Sequence, residues 1–185
     1  MLLTLVQFNS IRPLEFLIDS QDIHSVPQLR LGQVQPRGNS PLYDAVARVI
    51  GHAERVERGG RGEVVVVVFS DGMENASKDY SQQQVFRLVE AKRREGWSFV
   101  LLGANQDAHA SGSALAFSKG SVSNFKADER GVRAVLGDLS QGTTRLRRAA
   151  RKAKLSPSAA SALPEMRQNF LRGYRSAERD IRQRG

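Results

Sequence analysis

The sequence predicts an α/β fold, with a mostly parallel sheet followed by C-terminal helices. Short apolar runs typical of strands alternate with segments whose apolar residues recur every three or four positions, as on one face of a helix. In addition, Val64–Phe69 reads VVVVVF, a continuous β-branched run typical of a central parallel strand covered on both faces. Strands and helices that alternate in this way build parallel sheets, which bind ligands at the carboxyl ends of their strands.

The first half of the chain predicts a hairpin and a helix. Met1–Phe8 is short and apolar, as in a buried strand, and Leu14–Ile23 mixes apolar and polar residues, as in a half-exposed one. From Leu42 onward the apolar residues follow helical spacing. Ser40 is predicted as the N-cap of this helix, with Pro41 in its first turn.

The second half predicts a crossover helix, further strands and terminal helices. Ser81–Glu95 has apolar residues on one side and ends before Gly96, and Trp97–Leu102 has the composition of a buried strand. The remaining predicted elements are a short helix over Ala108–Phe117, a short strand over Ser121–Phe125, a helix from Ala127 with the apolar stripe Val132, Val135, Leu136 and Leu139, and a last helix over Leu163–Ile181 with the stripe Met166, Phe170, Tyr174 and Ala177. The last stripe is predicted to dock on the sheet or on a partner.

Charge divides the chain into two predicted domains. Of the 28 Lys and Arg and 19 Asp and Glu, residues 1–142 hold 16 of each sign, whereas residues 143–185 hold 12 basic and 3 acidic residues. We therefore predict an α/β domain over 1–142 and a basic helical extension over 143–185. The formal charge of +9 belongs to the extension, so it indicates a function of that segment and not of the domain.

Composition excludes several classes of protein. The chain has no cysteine, which excludes a disulfide scaffold, a Cys-ligated zinc site and a thiol nucleophile. The apolar N-terminal segment lacks the basic region of a signal peptide, and the longest apolar run, Val64–Phe69, is too short to span a bilayer. We therefore expect a cytoplasmic protein without a membrane partner.

Four segments resemble bacterial von Willebrand factor A (vWA) domains, in the order found in that family. They are TLVQFNS at Thr4–Ser10, PRGNSPLYDAV at Pro36–Val46, VVVVVFSDGMENAS at Val64–Ser77 and WSFVLLGANQDA at Trp97–Ala108. Their order and domain-like spacing make the resemblance specific, and it covers roughly residues 1–150. The resemblance implies a doubly wound, Rossmann-like vWA fold that acts as a protein-binding module.

The resemblance also implies a metal-ion-dependent adhesion site at the upper edge of the sheet. Ser40 falls where the family has a threonine ligand, and Asp71 falls where it has the aspartate of its third loop. Hydroxyl and carboxylate oxygens on short loops suit Mg²⁺ or Mn²⁺, and leave one coordination position for an acidic side chain of a partner. The expected rim of the site is Asn9, Ser10, Glu74 and Asn105.

The first loop of the implied site has no counterpart, because Asp-x-Ser-x-Ser occurs nowhere in the chain. The sequence begins at what resembles the second strand of the family, so the first strand, in mid-sheet, is expected to be missing and metal binding to be weak or absent. Three explanations stay open. The chain is a truncated or misassigned product, the sheet closes without the strand, or a partner chain donates it, as a second copy or another protein.

Several of these residues also have structural interpretations. Asp44 is predicted as a first-turn helix acid, and Glu74 and Asn75 as caps of the following helix or as part of the rim. The three histidines lack ligand spacing, no G-x-S-x-G elbow is present, and a hydrolase built on Asp71 and Ser40 would lack a base. We therefore do not expect an enzyme.

A second function class follows from residues 143–185. Their basic charge predicts an alternative in which the protein associates with nucleic acid or another polyanion. The competing interpretation is a solvated basic helix face, since aromatic residues in this segment are few.

Overall fold

The computed structural model describes residues 1–30, 32–35, 37–57, 62–70, 74–104, 113–117, 121–156 and 160–172. The chain divides into two units. The N-terminal unit comprises Met1–Gly60 and Glu74–Val85, and the C-terminal unit comprises Arg61–Met73 and Phe86–Gly185. Together they are a mixed α/β structure that contains a three-stranded parallel sheet.

The N-terminal unit contains the predicted hairpin. Strand β1 (Leu2–Gln7) pairs antiparallel with β2 (Glu15–Asp22), with an irregular register in the middle of β1. The prediction of a buried first strand is wrong, since Leu2 is 56% exposed and the rest of β1 is half-buried. Among the described strands β1 pairs only with β2, and a two-stranded hairpin leaves much of its surface open.

Helix α1 (Leu42–Val56) follows the predicted periodicity. Leu42, Ala45, Val46 and Ile50 are buried because they recur on one side of the helix. The predicted N-cap is wrong. The N-cap is Pro41, whose side chain makes no capping hydrogen bond, and the backbone of Ser40 instead pairs with a distant segment described below.

The sheet of the C-terminal unit has the order β3-β4-β5 and is parallel throughout. Its strands are β3 (Val65–Ser70), β4 (Ser98–Gly103) and β5 (Val122–Asn124). The central strand is β4, which is buried along its whole length. The prediction that the valine run is central is therefore wrong for the described sheet. There β3 pairs only with β4, and Phe69 is 44% exposed.

Helix α2 (Gln82–Arg94) confirms the predicted crossover between β3 and β4. Ser81 and Gln84 form a capping box, in which the Gln84 amide donates to Ser81 Oγ (3.4 Å) and the Ser81 amide donates to Gln84 Oε1 (2.8 Å). Gly96 ends the helix with φ of +95°, a conformation that favours glycine.

Helices α3 (Glu129–Ala153) and α4 (Leu163–Arg172) complete the C-terminal unit. Asp128 caps α3 by accepting a hydrogen bond from the Gly131 amide (2.7 Å). One apolar core joins the two helices to the sheet, and its buried members are Val100, Leu102, Phe125, Val135, Leu146 and Phe170. The prediction that the last stripe docks on the sheet is confirmed for Phe170, whereas Tyr174 and Ala177 lie outside the described residues.

A partly buried ion pair also holds α4 to the sheet. Arg167 donates from Nε and Nη2 to the two carboxylate oxygens of Glu63, just before β3, at 2.7 and 2.6 Å. The guanidinium lies over Gly96, where a Cβ atom would come within 3.0–3.1 Å of it. This bidentate pair therefore depends on a glycine at the turn between α2 and β4.

Three further predictions concern the same unit. Leu136 does not belong to the buried stripe of α3, because it is 47% exposed while Val135 beside it is buried. Half of the predicted helix over Ala108–Phe117 lies outside the described residues. The predicted domain boundary between residues 142 and 143 falls within α3. No helix in the described part of the chain is both long and apolar enough to cross a membrane.

Candidate functional site

Three loops of the N-terminal unit come together, and we call residues 9–12, 38–40 and 74–77 the loop edge. The first two loops are joined by reciprocal hydrogen bonds. The Ser10 amide donates to the Asn39 carbonyl (2.9 Å), and the Asn39 amide donates to Ser10 Oγ (3.0 Å). Gly38 precedes this pair with φ of +59°, and a Cβ atom there would collide with Ser10 Oγ. The loops therefore meet closely because residue 38 has no side chain.

Ser40 joins the second loop to the third. Its amide donates to Asn75 Oδ1 (2.8 Å), and its carbonyl accepts from the Asn75 amide (3.3 Å). Two of the residues predicted for the site, Ser10 and Ser40, are thus connected through one chain of hydrogen bonds to Asn75. The loops approach each other through their backbones, which restricts the positions of the side chains they carry.

Asn9, predicted for the rim, shapes the first loop from within. Its Oδ1 accepts hydrogen bonds from the amides of Ile11 (3.0 Å) and Arg12 (2.8 Å). The residue is only 3% exposed, and its Nδ2 is buried without a hydrogen-bond partner among the described residues. The two accepted hydrogen bonds fix the orientation of the amide group, so the side chain faces its own turn instead of the surface.

Glu74, also predicted for the rim, binds the backbone of the edge. Oε1 accepts from the amides of Ala76 (2.8 Å) and Ser77 (2.7 Å), and Oε2 accepts from the Tyr43 amide (2.9 Å) and from Ser77 Oγ (2.7 Å). Burial alone would raise the pKa of Glu74, but these hydrogen bonds favour the ionised form, and the net pKa lies below its ordinary value of 4.5. The carboxylate is therefore an acceptor for four donors.

Asp44 is the residue whose role sequence reasoning missed. It lies in the first turn of α1, as predicted, but its carboxylate is 4% exposed. Oδ2 accepts from the Lys78 amide (2.9 Å), and Oδ1 accepts from the amides of Asp79 (3.1 Å) and Tyr80 (2.9 Å). A carboxylate within an otherwise apolar helix turn was the available signal, although nothing in the pattern identified its partners.

The two carboxylates and Ser77 together bind the N-terminus of α1 to the third loop. Ser77 Oγ accepts from the amides of Tyr43 (3.0 Å) and Asp44 (3.2 Å), two donors that lack partners within the helix. Negative charge at this end also complements the helix dipole. The prediction that Glu74 and Asn75 cap the following helix is therefore wrong. They bind α1 and Ser40, because α2 has its own capping box.

Asp44 is buried, and the carboxylate oxygens of Asp44 and Glu74 already accept hydrogen bonds, so these two acids are not free to bind a metal. Among the described residues, no three histidine, cysteine, aspartate or glutamate side chains come together as a metal-binding group. Asp71 and Asn105, predicted as ligand and rim, lie outside the described residues. Ser40 contributes one hydroxyl, whereas Mg²⁺, which keeps several waters in its octahedron, is usually bound through one or two carboxylates as well. The described residues alone therefore do not fit a magnesium site.

Comparison with known proteins adds no relative. No protein-family model matches the chain, and no curated protein or solved structure matches it significantly. The resemblance to vWA domains therefore rests on the four sequence segments alone.

Proposed function

We propose that the chain is a vWA-like protein-binding module whose contact surface is the loop edge. The doubly wound form of the fold belongs to this proposal. The observation that supports it most directly is the pair of reciprocal hydrogen bonds from Ser10 to Asn39 and from Ser40 to Asn75. They join loops that are about 30 residues apart in sequence, as a surface prepared for a partner requires.

Preorganisation gives such a surface its value in binding. A flexible loop loses conformational entropy when it binds, about 0.5–1.5 kcal/mol for each immobilised side chain, and a loop already held in place loses less. Here Glu74 accepts hydrogen bonds from the backbone of the third loop, and Asp44 accepts from the amides of Lys78 and Tyr80, which follow that loop. Ile11, in the first loop, is 68% exposed and offers an apolar contact to a partner.

The chemistry of the loop edge favours a partner that presents an acidic side chain. Its described carboxylates point into the unit and accept hydrogen bonds from its own backbone. The exposed groups are the hydroxyl of Ser10, the amides of Asn39 and Asn75 and the guanidinium of Arg12, which also pairs with Glu15, and all of them can donate to a carboxylate. Donors outside and acceptors inside make the edge complementary to an acceptor on the partner.

Site-specific crosslinking tests the proposal. A photoreactive amino acid replaces Ser40 in the full chain, and the matched control replaces Arg55, which is exposed near the other end of α1. After illumination in the cells from which the chain comes, we expect a discrete protein adduct at position 40 and none at position 55. Equal yields of the same adducts at both positions would contradict the proposal.

Metal titration tests the weaker part of the proposal. We expect Mg²⁺ or Mn²⁺ to bind weakly or not at all in calorimetry, because the described edge supplies too few oxygens. Tight binding that persists in the variant Asp71→Ala would contradict the assignment of Asp71 as the ligand.

A further inference from the structure

The exposed side of the C-terminal half of α3 carries six cations and no acid. We call this the cationic face, and its residues are Arg145, Arg147, Arg148, Arg151, Lys152 and Lys154. All six are exposed, and none forms an ion pair with an acid among the described residues. Between Leu139 and Ser156 the sequence contains no aspartate or glutamate. Positive charge is therefore not neutralised locally along this stretch.

The cations form two rows along the helix. At about 100° per residue around the helix axis, Arg145, Arg148 and Lys152 lie in one row, and the other three cations lie in a second row. The second row is Arg147, Arg151 and Lys154. The rows lie about 120° apart around the axis, and each spans about 10 Å at 1.5 Å per residue.

The rows are held on a fixed support. Leu146, on the opposite side of the helix, is 2% exposed and belongs to the core with Val135 and Phe170. The cationic face is thus part of the folded C-terminal unit and not a loose tail. The docked helix fixes where each cationic side chain leaves the backbone before any ligand arrives, which lowers the entropic cost of binding.

Three features identify the ligand by its chemistry. Four of the six cations are arginines, whose planar guanidinium matches the oxygens of a phosphate. Helix α3 contains no aromatic residue, so it offers no surface on which unpaired bases stack. Its apolar side is buried in the core, so it cannot enter a bilayer as an interfacial helix does.

We infer that the cationic face binds the phosphate backbone of a nucleic-acid duplex without sequence preference. A duplex carries about one phosphate per 3.4 Å of axis on each strand, so a 10 Å length carries about three per strand. Each row presents three cations over that length. The inference is independent of the loop edge, since it uses only residues of α3 and its C-cap, Lys154.

The inference is tested by the binding of a fluorescent 20-base-pair duplex to the full chain. Fluorescence anisotropy measures the affinity at several salt concentrations. Two variants each remove one row as glutamine, R145Q/R148Q/K152Q and R147Q/R151Q/K154Q. The control R55Q/R87Q/R94Q removes the same charge from exposed positions elsewhere. Glutamine has a good helix propensity, and circular dichroism verifies that helicity is retained.

We expect each row variant to bind the duplex more than tenfold more weakly. The slope of log K against log salt should become about 2 to 3 less steep, because each lost phosphate contact reduces it by about 0.9. The control should weaken binding less than about threefold. Equal losses in the control and the row variants would overturn the inference, since net charge alone would then explain binding. Tighter binding to a single strand, or binding to phosphatidylserine vesicles without binding to the duplex, would also overturn it.

Discussion

The loop edge and the cationic face are both polar surfaces, but they are built in opposite ways. The loop edge joins segments that are distant in sequence, and its acids are consumed by hydrogen bonds to backbone amides. The cationic face lies on one helix, and its charges lack acidic partners among the described residues. A surface of the first kind exists only in the folded unit and recognises shape, whereas one of the second kind requires only a docked helix and recognises charge.

The two surfaces should also differ in what disrupts them. Salt screens the exposed cations of α3 but has little effect on buried hydrogen bonds to Asp44. Conversely, loss of one buried carboxylate should open the loop edge and leave the cationic face unchanged. The following predictions test this difference, beginning with the largest effect.

The largest loss of stability is expected from Leu146, which anchors the helix of the cationic face in the core. Leu146→Ala removes a side chain that is 2% exposed in the core, and we expect it to lower the free energy of unfolding by about 3 kcal/mol. The matched control is Leu136→Ala on the same helix, which is half-exposed and should cost less than about 1 kcal/mol. Chemical denaturation measures both. Similar losses in the two variants would contradict the assignment of α3's buried side.

The second-largest loss of stability is expected from removing the carboxylate of Asp44. Asp44→Ala leaves the amides of Lys78, Asp79 and Tyr80 without their acceptor, and we expect a loss of about 2–3 kcal/mol. Asp44→Asn is the conservative comparison, because it keeps one acceptor oxygen and should lose less. Amide exchange should accelerate at the same three residues in Asp44→Ala. Unchanged exchange there would show that the carboxylate does not hold this segment.

The smallest loss of stability is expected from Glu74, and it should depend on pH. Because its pKa in the folded state lies below 4.5, ionised Glu74 stabilises the fold fully above that pH, and the contribution is lost as the pH falls through the folded-state pKa. Glu74→Gln should cost about 1–2 kcal/mol at neutral pH, and the difference from wild type should narrow only below about pH 4.5.

Denaturation at a series of pH values checks this sign. Glu129→Gln is the control, since that side chain is 86% exposed and its pair with Arg133 lies at the surface. If the difference between wild type and Glu74→Gln widens as the pH falls, the direction of the pKa change is wrong.

Local pattern predicted most of the secondary structure of the described chain. The strands β1, β2, β4 and β5 and the helices α1 and α2 lie within a few residues of their predicted bounds, because alternation and helical spacing are properties of adjacent residues. The wrong predictions concern the burial of residues whose neighbours in space are distant in sequence. Burial of β3 depends on which strands flank it, and the exposure of Leu136 depends on how α3 is rotated against the sheet.

The candidate site was less accessible to sequence reasoning. The vWA resemblance assigned Ser10, Ser40 and Glu74 to one site, and hydrogen bonds join the three loops that carry them. It could not show that Asp44 and Glu74 accept hydrogen bonds from backbone amides, since every residue except proline carries such an amide and no residue type marks the partner. For the same reason Ser40 was predicted as a helix cap, when its backbone binds Asn75.

Amide hydrogen exchange in the free chain tests most directly whether the loop edge is assembled before any partner binds. The amides of Asn39, Ser40 and Asn75 should exchange at least about tenfold more slowly than that of Val34, an exposed residue of the preceding loop whose amide has no acceptor among the described residues. The variant Asn75→Ala should remove the protection at Ser40. Exchange at Asn39 and Ser40 as fast as at Val34 in the wild type would contradict a preformed loop edge.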